Sequence, residues 1–392
     1  MIQFEEALQI VLSHASLPET ENTAMSRSVG RILAEDVISD MDMPPFDKSA
    51  MDGYACRRSD LNNKLEVLEV IAAGQIPAYE IGANQCSKVM TGAMIPKGAD
   101  CVIMVEHTRQ TANGQVEFTA PKTAGNICYT GEDVKAGEPV LPKGLLIRPQ
   151  HIAVMASIGC VNPKVFRKAK VGILSTGDEL VEPHIYPGAG KIRNSNAWQL
   201  MAQAEAMHAE AYYFGIAPDD ETHSLARIRK AMDGCDVILL TGGISMGDYD
   251  FVPAVLHQAG FEFHFKSLAV QPGRPTLFGT TAEGKYCFGL PGNPVSSFNQ
   301  FELLVKPLLY KMMGHDFRPE ILRLPLAVDF RRKKSVRLSF IPVSLNDKGE
   351  ATPVEYHGSA HIHALTQAYG LMSVPIGITE IKKGELADVR PV

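Results

Sequence analysis

The chain has 392 residues, 45% hydrophobic and 21% charged, the balance of a folded globular protein and not of a disordered one. Lys and Arg number 38 against 44 Asp and Glu, so the net charge of −6 lacks the overall basic excess of a general nucleic-acid binder. No uncharged apolar run reaches membrane-span length, and at about 150 residues per domain the chain predicts two to three domains.

Near Met1, Glu5 and Glu6 stand where a signal peptide needs basic residues, so none is expected. Phe4, Ala7, Leu8, Val11, Leu12 and Ala15 have helical spacing, and Pro18 stops the helix. From about 32 to 140 short apolar runs (65–72, 99–106, 116–119) alternate with turns, and Asn113-Gly114 signals a hairpin, so this stretch reads as β-rich. A short helix is expected over Ile152–Cys160, ended by Gly159. After Pro163 strands and helices alternate. Strands are expected at 171–174, 211–214, 237–240, 261–269, 276–278 and 286–289. Helices are expected at 196–209, 221–232 and 251–258, with a long closing helix at 295–313 that Gly314 ends. That rhythm predicts an open, mostly parallel, doubly wound α/β sheet. Beyond it, 322–328, 337–343 and 371–374 predict a small all-β domain with a basic excess. The seven cysteines are odd in number and lack metal-knuckle spacing. Free thiols and a cytoplasmic location follow as expectations.

Ligands of open α/β sheets gather at the carboxyl ends of the strands. Three such ends carry glycine and hydroxyl residues. They are Ser175-Thr176-Gly177-Asp178-Glu179, Thr241-Gly242-Gly243-Ile244-Ser245-Met246-Gly247 and Leu290-Pro291-Gly292-Asn293-Pro294-Val295-Ser296. Glycine lets backbone N–H groups approach an oxyanion. One such loop reads as a plain turn; three on one edge point to phosphate. Asn293 is expected as the N-cap of the long helix, with Pro294 at its first position. Asp178, Glu179, Asp219, Asp220, Asp248 and Asp250 fall on the same edge and suit Mg²⁺, though Asp220 and Asp250 are equally placed to cap helices.

Other fingerprints are absent: no G-x-G-x-x-G after a strand, no Walker loop, no H-E-x-x-H. Gly243–Gly247 does match G-x-S-x-G, which makes Ser245 the nucleophile of an alternative serine hydrolase. In a true elbow the helix begins at once after the serine, whereas Gly247, Asp248 and Tyr249 intervene here. His357, His361 and His363 have a metal-compatible spacing but no nearby Cys, and read as surface or packing residues.

The segment Pro44-Pro45-Phe46-Asp47-Lys48-Ser49-Ala50-Met51-Asp52-Gly53-Tyr54-Ala55 fits no core-forming period. Together with Thr91-Gly92-Ala93, Gly131-Glu132-Asp133 and the three strand-end loops, it resembles the hallmark motifs of the molybdopterin molybdotransferases (molybdenum insertases), whose animal relative is the E domain of gephyrin. The resemblance runs in order along the whole chain. It implies an elongated homodimer with an α/β molybdopterin-binding domain at 167–316 and a β-rich domain, 41–137, inserted into a discontinuous domain made of 1–40 and 138–166. A C-terminal β-barrel at 317–392 completes it. It implies a cytoplasmic transferase that, with Mg²⁺, inserts molybdenum from molybdate into adenylylated molybdopterin and releases AMP. A molybdopterin adenylyltransferase and cofactor-accepting proteins are the implied partners, with no nucleic acid and no membrane. Asp178, Glu179, Asp220, Asp248 and Asp250 are implied for Mg²⁺ and water activation. Ser175, Thr176, Gly177, Gly242, Gly243, Ser245, Pro291, Gly292, Asn293 and Ser296 are implied for phosphate and pterin. Asp52, Thr91 and Asp133 would complete the site across the dimer cleft, with Arg274, Arg337 and Ser359 near molybdate. Many members have Lys-Pro-Gly-Lys where this chain has Gln271-Pro272-Gly273-Arg274, which removes one charge and makes the other a planar fork. A non-catalytic pterin-binding scaffold is the alternative within the fold. The competence-damage type of protein shares the α/β domain but lacks the 44–55 segment.

Overall fold

The structure is a computed structural model and describes residues 1–244 and 251–392. Helix α1, Phe4–Ser13, buries Phe4, Ala7 and Val11 along one stripe. These side chains enter a core shared with the α/β unit and with Phe340 and Leu371 near the C-terminus. Ile2 also bridges Leu268 in parallel, so the start of the chain is built onto the α/β unit.

The next stretch zips against a distant one. Thr20–Asn22 pairs antiparallel with Lys164–Phe166, and Val37–Ile38 with Pro139–Leu141. Helix α2, Pro149–Ser157, adds Met155 to the core of Leu33, Val37, Leu141, Ile147 and Val165. It begins three residues before the expected Ile152 because Pro149 is pre-set for a first helical turn. Between the zipped stretches lies a six-stranded sheet ordered Cys101–Met104, Gly53–Cys56, Gln85–Val89, Lys64–Ile71, Val116–Phe118, Thr108–Gln110. Its last two strands form the hairpin expected at Asn113-Gly114, where Gly114 has φ +78°.

The α/β sheet runs Glu210–Ala217, Lys170–Thr176, Val237–Thr241, Tyr286–Leu290, Leu277–Thr280, Glu262–Phe265. The first four strands are parallel; Leu277–Thr280 is antiparallel to both of its neighbours, so Glu262–Phe265 runs with the first four. Val237–Thr241 is buried at every residue, as a strand covered on both faces must be. Helix α3, Asn196–Ala206, supplies the core on one face; α4, Glu221–Gly234, and α5, Val252–Gln258, supply it on the other.

One expectation is refined and one corrected. The closing helix is unbroken from Pro294 to Met312, close to the expected 295–313, but α6, Pro294–Gln300, passes through a π-turn, Phe301–Val305, into α7, Lys306–Met312. Pro307 has no N–H for the Leu303 carbonyl and its ring crowds that carbonyl, so the widened turn makes room. The expected strand at 261–269 ends at Phe265, and Val270–Gln271 instead joins the C-terminal sheet, parallel to Leu338–Ser339. That sheet is ordered Val270–Gln271, Leu338–Leu345, Gly370–Val374, Leu386–Pro391, Leu322–Pro325, with Ala351–Pro353 paired to Leu338–Leu345. A single parallel bridge joins Leu326 to Ala351. Among the described residues no helix is long and apolar enough to cross a membrane.

Candidate active site

The strands ending at Thr176, Thr241 and Leu290 are parallel neighbours, in register Ser175 to Thr241 to Leu290, so their carboxyl ends share one edge. Gly242 N–H donates to the Leu290 carbonyl at 3.2 Å. Gly242 has φ +95°, and a Cβ there would lie 2.4 Å from the Thr176 carbonyl oxygen. The loops therefore meet backbone to backbone, which only glycine permits. Gly243 follows in the second loop, and Gly177 is buried in the first.

Two asparagines at the start of α3 tie the edge together. Asn196 Nδ2 donates to Thr241 Oγ1 at 2.8 Å and to the Gly292 carbonyl at 2.7 Å. Asn194 Oδ1 accepts from Ser175 Oγ at 3.0 Å, and its Nδ2 donates to the Tyr213 hydroxyl at 2.9 Å. Sequence reasoning missed both asparagines as site residues. The signal was Asn194-Ser195-Asn196 at a helix start, which reads equally as capping.

Two adjoining cavities open here. One, ≈ 470 Å³, is lined by Thr176, Glu179, Asn194, Asn196, Gly242 and Gly292, with His363 from the C-terminal domain. The other, ≈ 370 Å³, is lined by Gly273, Arg274, Pro291, Ser296, Arg337 and Ser359. Asn293 lines both. It stands at the N-cap position, but its Nδ2 donates to Ser359 Oγ at 2.8 Å, and the Ser359 carbonyl instead accepts from Val295 N–H at 3.0 Å. A loop of the C-terminal domain thus does the capping expected of Asn293.

The loop that presents Arg274 is held from both sides. Buried Gln300, one turn beyond Ser296, donates from Nε2 to the Pro272 carbonyl at 3.2 Å, and Arg337 Nη1 donates to the Val270 carbonyl at 3.4 Å. Two guanidinium groups in one small cavity suit an oxyanion.

The acids divide. Asp178 and Asp219 face each other, each carboxylate near the other's backbone N–H, at 3.2 and 3.4 Å. Lys191 Nζ donates to the Asp178 carbonyl. Asp220 is turned away and caps α4: its Oδ1 accepts from His223 N–H at 2.8 Å. That N–H, then the His223 ring, holds the Asp220 carboxyl below the usual carboxylate range. Among the described residues Asp219, not Asp220, is therefore the acid hydrogen-bonded to Asp178. Among the described residues no three His, Cys, Asp or Glu side chains are gathered to hold a metal ion. Ser245, Asp248 and Asp250 lie outside the described residues.

Asp52, Thr91 and Asp133 sit in the inserted segment. Asp52 Oδ1 accepts from Thr91 N–H at 2.6 Å and from Thr91 Oγ1 at 2.8 Å. The N–H, then the hydroxyl, holds the Asp52 carboxyl below the usual range. Asp133 N–H donates to the Met43 carbonyl at 3.0 Å. None of the three lines either cavity of this chain. His357 and His361 stack at 5.0 Å on the surface.

The fold and this edge define a multidomain protein organised around a mostly parallel α/β unit whose strand ends form the candidate site. Family models match residues 2–159 as a MoeA N-terminal region (domains I and II), 172–311 as a probable molybdopterin binding domain, and 323–392 as a MoeA C-terminal region (domain IV). The chain is 34% identical to the molybdopterin molybdenumtransferases of Staphylococcus epidermidis and Staphylococcus aureus, over 99% of its length and 95% of theirs. It superposes on a molybdopterin biosynthesis moeA protein from Pyrococcus horikoshii OT3 with a TM-score of 0.87 and 32% identity, over 100% of both chains. A molybdenum cofactor biosynthesis protein from Pyrococcus furiosus, 22% identical with a TM-score of 0.64, shares the fold. The chain belongs to the molybdopterin molybdenumtransferase (MoeA) family.

Proposed function

We propose that this protein is the transferase that joins molybdate to adenylylated molybdopterin and releases AMP, completing the molybdenum cofactor. The observation that supports this most is the pair of adjoining cavities with Asn293 in common. One is walled by glycine loops, which suit a diphosphate. The other presents Arg274 and Arg337, which suit a tetrahedral dianion. In this reading Ser175, Thr176, Gly177, Gly242, Gly243, Pro291, Gly292, Asn293 and Ser296 hold the phosphates and pterin, and Ser245, outside the described residues, belongs to the same reading. Arg274, Arg337 and Ser359 hold molybdate. Arg274 supplies a planar two-pronged donor, and uncharged Gln271 leaves the cavity with less positive charge than a lysine there would.

Mg²⁺ fits the donor set. It takes only one or two carboxylates, with waters and phosphate oxygens filling the rest of its shell, so the absence of a three-acid cage among the described residues is no obstacle. Asp178 and Glu179 are the one or two carboxylates read to hold it; Asp248 and Asp250, which lie outside the described residues, stay with them in the reading for Mg²⁺ and water activation. Bound there it would withdraw charge from the phosphate oxygens. The exposed Asp178 and Asp219 carboxylates keep that rim negative and oriented.

Asp52, Thr91 and Asp133 are read as completing the site from a second copy of the chain in a homodimer. The boundaries 1–40 with 138–166, 41–137, 167–316 and 317–392 are retained as the domain reading, with the α/β sheet taken as doubly wound and the Leu326–Ala351 bridge taken to close the last domain into a small barrel. Free thiols at all seven cysteines support a cytoplasmic setting. An adenylyltransferase upstream and cofactor-accepting proteins downstream remain the partners this chemistry requires.

The test is direct. The protein is incubated with adenylylated molybdopterin, molybdate and Mg²⁺, and AMP is resolved by chromatography. Stoichiometric AMP that depends on molybdate is the expected result. Tight pterin binding with no AMP would replace the enzyme by the scaffold.

A further inference from the structure

We infer that the cavity where helix α7, the start of α2 and the C-terminal sheet meet is a binding site for a small polyvalent oxyanion, a phosphate or a polycarboxylate. The cavity, ≈ 290 Å³, is lined by Arg148, Lys306, Tyr310, Arg318, Leu371 and Arg390. It shares no residue with the two cavities at the strand ends. Its volume is at the small end of ligand pockets, which suits a small metabolite.

Arg390 stands in the last strand, Leu386–Pro391, directly opposite Leu371. Its guanidinium lies over the Phe4 and Phe340 rings, 5.5 and 5.7 Å from their centres, and those two rings meet edge to face at 6.0 Å. Both rings are buried in the core, so the guanidinium rests on a rigid seat. Rings cover the face of a guanidinium and leave free its edge, where the five N–H donors point. Among the described residues no protein acceptor meets those donors; Glu5 and Asp388 act on the charge only through space. A half-buried, fully ionised donor set without an acceptor is the exception in folded proteins, and here it faces a cavity.

The rest of the lining adds positive charge. Arg148 and Arg318 enter from exposed positions, and Arg318 makes only a 3.3 Å surface contact with Asp316. Two acids also line the cavity, Glu302 and Glu320. Glu302 is already paired: its Oε2 accepts from Lys306 Nζ and its Oε1 from Gln203 Nε2, each at 2.8 Å. Glu320 is exposed. Tyr310 stacks on Phe317 at 4.7 Å, and Lys306 Nζ lies 5.7 Å from the Phe317 ring centre. Aromatic carbon thus backs the cations, and charges attract more strongly beside it than in bulk water. Guanidinium forks match the paired oxygens of carboxylate and phosphate. An anion here would contact stretches near 148, 306–318 and 390 at once. Binding only the assembled fold, it must stabilise that fold.

The full-length protein is titrated with inorganic phosphate and with citrate, at ionic strength held constant with sodium chloride, following heat of binding and thermal unfolding. At least one anion is expected to bind saturably and, at about a hundredfold excess over Kd, to raise Tm by about 2–5 °C above chloride. Phosphate alone assigns the site to phosphate compounds, and citrate alone to polycarboxylates. Arg390→Met is expected to weaken binding by about tenfold or more, and Arg390→Lys by less. Arg148→Met, at an exposed position, is expected to weaken it several-fold with the Tm in chloride unchanged, and it decides the matter if Arg390→Met does not fold. Arg274→Met, in the strand-end cavity, is expected to keep the response. The inference is overturned if neither anion acts beyond chloride, or if Arg148→Met and every folded Arg390 variant bind as the native chain does. A response lost in Arg274→Met but kept in the others returns the anion to the strand-end site and also overturns it.

Discussion

Gly242→Ala places a methyl group where the first two loops touch. The new Cβ would lie 2.4 Å from the Thr176 carbonyl oxygen and 2.9 Å from Thr176 Oγ1. Ordinary contacts begin near about 3.5 Å, and the carbonyl belongs to backbone that cannot swing aside, so the loops must part by about 1 Å. Overpacking of that kind costs about 1–3 kcal/mol. Holding alanine at φ +95° adds about 1–2 kcal/mol. The sum, about 2–5 kcal/mol, is measured by urea unfolding. A shift of about 1 Å in the groups that orient a reacting diphosphate lowers turnover by about a hundredfold, measured as the rate of AMP release. Gly114→Ala is the control: it shares a positive φ of +78° but has nothing within 4 Å of the added carbon, so only the strain of about 1 kcal/mol remains. If Gly242→Ala proves as stable as Gly114→Ala and turns over at the native rate, the loops do not converge as described.

Gln300→Leu removes the donor to the Pro272 carbonyl and loosens the loop that carries Arg274. The molybdate KM is expected to rise about tenfold, about 1.4 kcal/mol of lost positioning, with AMP affinity unchanged; a loss of both together would mark general unfolding instead. Arg167 pairs with Asp236 through two contacts of 2.8 and 2.9 Å, and Lys170 N–H adds a third at 2.9 Å. Burial pushes the Asp236 carboxyl up, but Arg167 and that N–H outweigh it and hold it below the usual range. A depressed carboxylate stabilises the fold above its unfolded pKa of about 3.9 and loses that contribution as pH falls through the folded value. Arg167→Met is therefore expected to cost about 2 kcal/mol at pH 7, with the gap to the native chain narrowing below about pH 4; a gap independent of pH refutes the pairing. Thr91→Val keeps the N–H to Asp52 but removes the hydroxyl. The Asp52 carboxyl is expected to titrate at higher pH than in the native chain, read by NMR, and an unchanged titration would deny the hydroxyl a part.

The strand-end loops were legible because glycine, hydroxyl and carboxylate residues directly follow short apolar runs, and the parallel ladder then brings Thr176, Thr241 and Leu290 to one edge. What ties that edge together was not legible. Asn196 reaches Gly292 across 96 residues of sequence, and no local pattern distinguishes such a brace from a cap. Asn293 carried the expected cap signature, yet Ser359 outcompetes it from another domain. The helix at 295–313 has unbroken apolar periodicity, and only Pro307 hinted at the widened turn. The strand expected over 261–269 stops at Phe265, and Val270–Gln271 just beyond it joins another sheet, because β-propensity does not say where one strand ends or which sheet the next will join.

The core shared by Phe4, the α/β unit and Leu371 bears on how the protein is made. Contacts this far apart along the chain are slow to form, because loop-closure entropy must be met before they stabilise anything. During synthesis, α1 emerges long before residue 371 and cannot dock fully until that residue has left the ribosome. Its apolar stripe of Phe4, Ala7 and Val11 stays uncovered meanwhile, a natural target for holding chaperones.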